Sequence, residues 1–547
     1  MKSRTRSLLW IAVAIALGQG SAGAALAATT EEQSLTELRN TVVNLLQALV
    51  ERGILTREQA QKMVQDAQTK AEAESAAKLA AEKAQQEAEK GAVRVPYVPE
   101  IVKDEIRKEV VAELGPSVKK EVVAEVSSTG SLRSALPEWV QRMRWSGDVR
   151  LREEGDLFAS DNAQNAYLDF NVINSKGGLA KAGLAGLLNT SEDRNRLRVR
   201  LRFGFDTDLG NGFTTGMRIA TGTGEIYPTT NQTLGTYGAR YQLALDQGFI
   251  RWNGQATGTR QLFTFTGGRF SNPWLSTDLI WYNDLTFEGL VGNYRFNLGS
   301  DADHRKDLFL TFGGFPLQDV VPSSKDKWLA AAQIGADFKT QDDSRYRLGA
   351  AYYDYLRIVG RRNAPESTLL NYTAPALIQK GNSVFDISNT TDRTVNLYAL
   401  AADFKIVDVT AMADWRVFSG YSINLVGEAL QNIGYKTADV SARIGDYTAR
   451  HNRGYRADLG FGTFVPGPWG GWRAAIGYRY LERDAVVDAF NDQDFHLGGT
   501  DAKGYTITLD YTVNPRVWFR ARYLSANAID GPPLGIDVWQ LDLNTQF

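Results

Sequence analysis

The chain has 547 residues, 61 Lys+Arg against 63 Asp+Glu and a formal net charge of -2, a balance that argues against a nucleic-acid binder. Cysteine is absent, which excludes disulfides and thiolate metal sites, and His304, His451 and His496 lie far apart with no HExxH-type spacing, so no metal and no cofactor is expected. The length suits two or three soluble domains or one large barrel with an appendage.

In chain order, Lys2, Arg4 and Arg6 precede the apolar run Leu8–Leu17, and Ala25-Leu26-Ala27 follows. Residues 1–27 therefore read as an export signal, whose apolar run is too short to span a bilayer. Residues 28–91 read as helical. Leu35, Leu38, Val42, Leu45 and Leu49 form an a/d seam, Gly53 stops the helix, and Thr56 with Gln59 opens the next as a capping box. The seam suits a self-associating coiled coil or a two-helix hairpin within one chain. Residues 92–137 open with the Pro-broken linker Val93–Pro99. Short charged helices follow, the first with Ile101, Ile106 and Val110 on one side and Gly115-Pro116 as its stop. These 110 or so residues carry no catalytic constellation and read as a spacer and oligomerisation stalk.

From 138 to 547 the texture becomes alternating runs separated by Gly, Asn, Asp and Pro. The clearest is Arg194–Phe205. Leu197, Val199, Leu201, Phe203 and Phe205 alternate with Arg196, Arg198, Arg200, Arg202 and Gly204. A period of two gives a strand with one apolar and one cationic face. Such a strand fits a soluble sheet, or a membrane barrel with lipid on the apolar side and a wet lumen on the other. Seventeen such runs can be marked, one of them at 393–406. Since bacterial single-chain barrels use an even number, the expectation is 16 strands, with 18 as the alternative. Trp472, Tyr478, Tyr480, Tyr505, Tyr511, Phe519 and Tyr523 fall where aromatic girdles belong. In the final run Trp539, Leu541, Leu543, Thr545 and Phe547 alternate with polar residues, and a terminal aromatic resembles the signal read by the barrel-assembly machinery.

Three stretches carry a family resemblance: the Val93–Pro99 linker with its charged helix; Gly268-Arg269-Phe270-Ser271-Asn272-Pro273-Trp274 with Thr277-Asp278-Leu279; and Phe287-Glu288-Gly289 with Phe547. With them the chain resembles the bacterial outer-membrane porins, in particular the group called putative porins. The resemblance implies an all-β transmembrane antiparallel barrel in the outer membrane of a Gram-negative bacterium, with the helical segment in the periplasm. It also implies passive diffusion of small hydrophilic solutes or anions, no enzymatic activity, and often a homotrimer.

Alternation puts Arg150, Arg152, Arg196, Arg198, Arg200, Arg202, Arg218, Arg516, Arg520 and Arg522 inward, where closure of the barrel would gather them into one basic wall sector. An arginine on the lipid face would cost about 2–4 kcal/mol at the midplane. The wall either attracts anions by focusing potential in the lumen, or pairs with acids of an infolded loop, for which Asp278, Asp284 and Glu288 are the candidates. Long insertions at 157–193, 222–240, 356–393 and 484–503 are expected as loops on the outside, with either 157–193 or 270–284 as the constriction. A structural or adhesive barrel that tethers the envelope, with its stalk on the cell wall, is the competing reading. An outer-membrane enzyme lacks a nucleophile–base constellation, and a gated transporter with a folded plug does not fit a helical pre-barrel segment.

Overall fold

The computed structural model describes residues 138–222, 228–255, 261–298, 306–321, 325–418, 420–446 and 448–547. The export signal (1–27), the helical region (28–91) with its Leu seam and the linker (92–137) lie outside the described residues, as does His304.

A short helix, Glu138–Gln141, leads into β1 (Met143–Phe158), and β2 (Arg194–Gly210) and β3 (Phe213–Thr221) follow. A two-residue β4 (Gln232–Thr233) precedes β5 (Leu243–Gln255), β6 (Gln261–Ser271), β7 (Thr286–Asn297), β8 (Lys306–Gln318), β9 (Lys327–Lys339) and β10 (Arg345–Leu356). Short β11 (Val384–Asp386) and β12 (Tyr398–Leu400) pair only with each other. The remainder are β13 (Lys405–Phe418), β14 (Tyr421–Asn432), β15 (Arg453–Gly462), β16 (Trp472–Leu481), β17 (Ala502–Asn514), β18 (Val517–Ala528) and β19 (Gly535–Gln546). Leaving out β4, β11 and β12, each strand pairs antiparallel with the next, and β19 pairs with β1 from Asp148↔Gln546 to Phe158↔Ile536. The result is a closed barrel of 16 strands, which abolishes sheet edges. At the seam Gly147 and Phe547 exchange both backbone hydrogen bonds at 3.0 Å.

The alternation in the sequence sets the faces. Leu151 and Leu197 are 50 % and 59 % exposed on the outer surface, while Arg152, one residue on from Leu151, is 3 % exposed. Trp145, Phe203 and Phe547 gather at one end of the outer face, Trp145 and Phe203 stacked at 5.4 Å. That end carries the tight turns. Asn211 (φ 53°) and Gly212 (φ 81°) form a two-residue connection with both residues left-handed, as a type I′ hairpin requires. Long connections occupy the opposite end.

Two expectations need correction. Residues 393–406 do not form a wall strand. Ala399, Leu400, Ala401, Ala402 and Phe404 are apolar because they are buried in loop packing, and the wall strand begins only at Lys405. The seventeenth run was an inward-folded loop. Arg516 is exposed in the turn between β17 and β18, off the wall, its N–H held by the Asn514 side chain at 2.8 Å.

Candidate functional site

The β1–β2 register sets Arg150 opposite Arg200, Arg152 opposite Arg198, Asp148 opposite Arg202 and Glu154 opposite Arg196. All these side chains have inward parity, so the like charges must find acids. Arg152 donates two hydrogen bonds to Asp542 on β19 (2.7 and 3.0 Å) and one to Asp494 (2.9 Å). Arg196 bridges Glu154 and Asp156 at 2.5 and 2.7 Å, and Arg198 reaches Glu154 at 3.2 Å. Arg200 and Arg202 share Asp148 at 2.8 and 2.7 Å and Asp284 at 3.3 and 3.5 Å. Arg218 pairs with Asp246, Arg520 with Asp510 and Arg522 with Asp494, at 2.5, 2.6 and 2.6 Å. Nine arginines thus face eight carboxylates. Arg150 alone among them makes no ion pair within the described residues; it donates to the Asn231 side chain.

The arginine contacts show which loops enter the lumen. Residues 272–285, between β6 and β7, touch strands on remote sectors of the wall. Asp284 meets Arg200 and Arg202 of β2, whereas Asp278 meets Arg456 of β15 and Arg479 of β16. Contacts with inward side chains on both sectors require the loop to lie within the lumen. Its apolar half anchors it. Trp274 and Trp281 are 6 % and 2 % exposed and pack edge-on against Tyr353 of β10 (5.5 and 5.3 Å), with Trp281 also against Phe287 of β7 at 4.9 Å. The Thr277 N–H and hydroxyl both donate to Glu428 of β14, and Gln333 of β9 holds the Leu275 backbone. Residues 157–193 do something else. Their helix, Phe170–Lys176, docks by Asn171 on Ile378 and by Asn174 on Tyr398 of the 357–404 loop.

Of the three acids singled out in the sequence, Asp284 joins the arginine wall. Asp278 serves a second arginine pair, and Glu288 of β7 pairs with Arg269 away from both. A second infolded segment, residues 482–501, gave no local signal. It supplies Asp492 to Arg479 (2.7 Å) and Asp494 to Arg152 and Arg522. The two loops are stitched backbone to backbone, Tyr282 N–H to Phe490 O at 2.7 Å and Asp492 N–H to Asp278 O at 3.0 Å. Burial alone would raise the carboxyl of Asp494. Arg152, Arg522, Arg198 and Arg150 outweigh it and hold that group well below the usual range. Asp284 is likewise held low against its burial by Arg200, Arg150 and Arg202. Asp148, Glu154, Asp156 and Asp542 were legible in principle, since they share the parity of the arginines on β1 and β19.

The buried histidine of the same segment has a structural partner set. His496 accepts from Lys380 at Nδ1 (2.8 Å), and its Nε2 lies 3.0 Å from the Leu534 carbonyl. Burial and Lys380 keep its imidazole neutral.

A family model described as "Putative porin" matches residues 39–547. Similar solved structures include the OprB of Pseudomonas putida at high pH (14 % identity, 75 % of this chain and 96 % of that one, TM-score 0.41). The outer-membrane channel DcaP of Acinetobacter baumannii is 12 % identical over 74 % of this chain and 97 % of its own, with a TM-score of 0.37. Salmonella typhi OmpF, in complex with daunomycin, is 12 % identical over the same shares, with a TM-score of 0.36. No curated protein sequence matches. With a closed 16-strand barrel, loops folded into its lumen and a family match over all but the first 38 residues, this chain belongs to the putative porin family, non-enzymatic channels of the Gram-negative outer membrane.

Proposed function

We propose that the channel passes small hydrophilic solutes by passive diffusion, and that its arginine wall works as one side of a transverse field with only a weak preference for anions. The observation that carries this reading is the near-balance of nine arginines by eight carboxylates, two of them, Asp284 and Asp494, supplied by loops inside the lumen. A fixed field across a narrow passage orients dipolar solutes and sheds their hydration without selecting one sign strongly. A wall of unpaired arginines would instead be a strong anion filter.

The test is the reversal potential of the refolded protein in a planar bilayer under a salt gradient. The native channel should be ohmic and weakly anion-preferring. Replacing Asp284 and Asp494 by Asn should shift it strongly toward anions, and replacing Arg198, Arg200 and Arg202 together by Gln should reverse the shift. An unchanged reversal potential in both variants would sink the reading.

A homotrimer, implied by the family resemblance, and a stalk that tethers the envelope are separate parts of the proposal. The mass of the detergent-solubilised protein tests the first. Removing residues 28–137 tests the second: conductance should survive and association with the cell wall should be lost.

A further inference from the structure

At the long-loop end, away from the constriction, a cavity of about 940 Å³ has a different electrostatic character. Lys325, Arg357, Arg361, Arg362 and Arg443 line it, with the ring of Tyr372, and no carboxylate among the described residues does. Arg361 and Arg362 are exposed and make no ion pair within the described residues. Lys325 lies over the Tyr372 ring at 5.7 Å, Arg357 donates to the Asp326 carbonyl at 3.1 Å, and Arg443 to the Ala401 carbonyl at 2.7 Å. The nearby Asp403 sits half-buried outside the lining, where burial raises its carboxyl more than Lys405 and Arg443 lower it.

The cations stand on a fixed backbone. Ile358 is buried between them, and a Cβ at Gly360 would collide with Ala399. Gly360 N–H donates to the Leu400 carbonyl (2.9 Å), Arg361 N–H to the Thr373 hydroxyl (3.0 Å) and Asn363 N–H to the Ile387 carbonyl (2.9 Å). The opposite wall is tied down by Lys327, whose ammonium donates to the carbonyls of Tyr372 and Ala374 at 3.0 and 2.8 Å. Five cations gathered in one concave site, two of them the exposed Arg361 and Arg362, give it a positive local potential that favours an anion. Guanidinium forks match the oxygens of phosphate two at a time, and a polyphosphate offers enough oxygens for several forks at once.

We propose that this cavity is a docking site for a multiply charged, phosphate-bearing solute, which it gathers at the long-loop mouth. The proposal goes beyond the diffusion reading and is read by binding, so it stands or falls without a current measurement. The probe is sodium tripolyphosphate, titrated calorimetrically into the full chain refolded in a neutral detergent. The native protein should bind saturably, more weakly as salt rises. Arg361→Gln with Arg362→Gln should weaken binding at least about tenfold, the effect of losing two charge-assisted hydrogen bonds. Arg516→Gln, at the tight-turn end, should leave it unchanged. Equal binding by the native and double-variant proteins, equal loss in the Arg516 variant, or no saturable binding would overturn the site. A second arm offers the phosphate as lipid A in phosphatidylcholine vesicles. Capture of those vesicles through Arg361 and Arg362 without tripolyphosphate binding would make the occupant a lipid headgroup and overturn the solute assignment.

Discussion

The arginine wall and the basic cavity use the same side chain in opposite ways. On the wall each guanidinium except that of Arg150 meets a carboxylate, and Arg152 is wrapped by Asp542 and Asp494 until 3 % of it is exposed. In the cavity no carboxylate among the described residues lines the site, and Arg361 and Arg362 are exposed. Burial explains the division. A buried charge needs a partner, because an unpaired one costs several kcal/mol, whereas an exposed one is solvated and remains available to a ligand. Charge on the wall is therefore structural first. In the cavity the exposed Arg361 and Arg362 make no ion pair among the described residues.

The largest expected effect is on the wall. Arg152→Met leaves Asp542 and Asp494 buried without their main partner and should cost about 3–5 kcal/mol in heat or denaturant unfolding. A variant as stable as the native protein would erase the distinction between the two regions. The next concerns a buried acid with no arginine beside it. Burial, with Asp484 adding to it, pushes the Asp488 carboxyl up to about 7. From about pH 4 to about 7 the folded loop keeps a proton that the unfolded chain has lost, so stability falls as pH rises through that window and is level above it. Over the whole window the change is at most about 4 kcal/mol. Protease protection of residues 482–501 should decline accordingly, and Asp488→Asn should flatten the dependence. Thr277→Val removes the hydroxyl donor to buried Glu428 and should cost about 1.5–3 kcal/mol, seen as a lower unfolding temperature and noisier single-channel current. Least of all, Arg361→Gln with Arg362→Gln should leave stability within about 0.5 kcal/mol of native. A larger loss would mean that these cations do carry structure.

The strand faces were legible in the sequence because parity is decided locally: one residue's step turns a side chain from lipid to lumen. Arg196 to Arg202 announce themselves for that reason, and the acids Asp148, Glu154 and Asp542 obey the same count. What parity does not reveal is what fills the lumen. The stretch around Tyr398–Phe404 is as apolar as a lipid-facing strand because the loop packing it joins is equally dry. Nothing near Asp492 or Asp494 marks them as partners of arginines more than 10 residues away, and in the case of Arg152 more than 300. Sequence spacing also leaves the choice between residues 157–193 and 270–284 open. The aromatic landing site of Trp274 and Trp281 comes from β7, β8 and β10, whose inward aromatics read singly as ordinary strand residues.

The seam between β1 and β19 has a consequence for time as well as space. Its partners, Asp148 with Gln546 and Arg152 with Asp542, are separated by nearly the full length of the barrel sequence. Neighbouring hairpins can zip as soon as they exist, but this junction must wait for every intervening strand, and contacts of such separation form slowly. Until then β1 and β19 are open edges, able to add a strand from another molecule. The Arg152–Asp542 bridge then acts as a latch engaged at the end of assembly. Weakening it should lengthen the interval in which a half-made barrel can aggregate, in addition to destabilising the finished one.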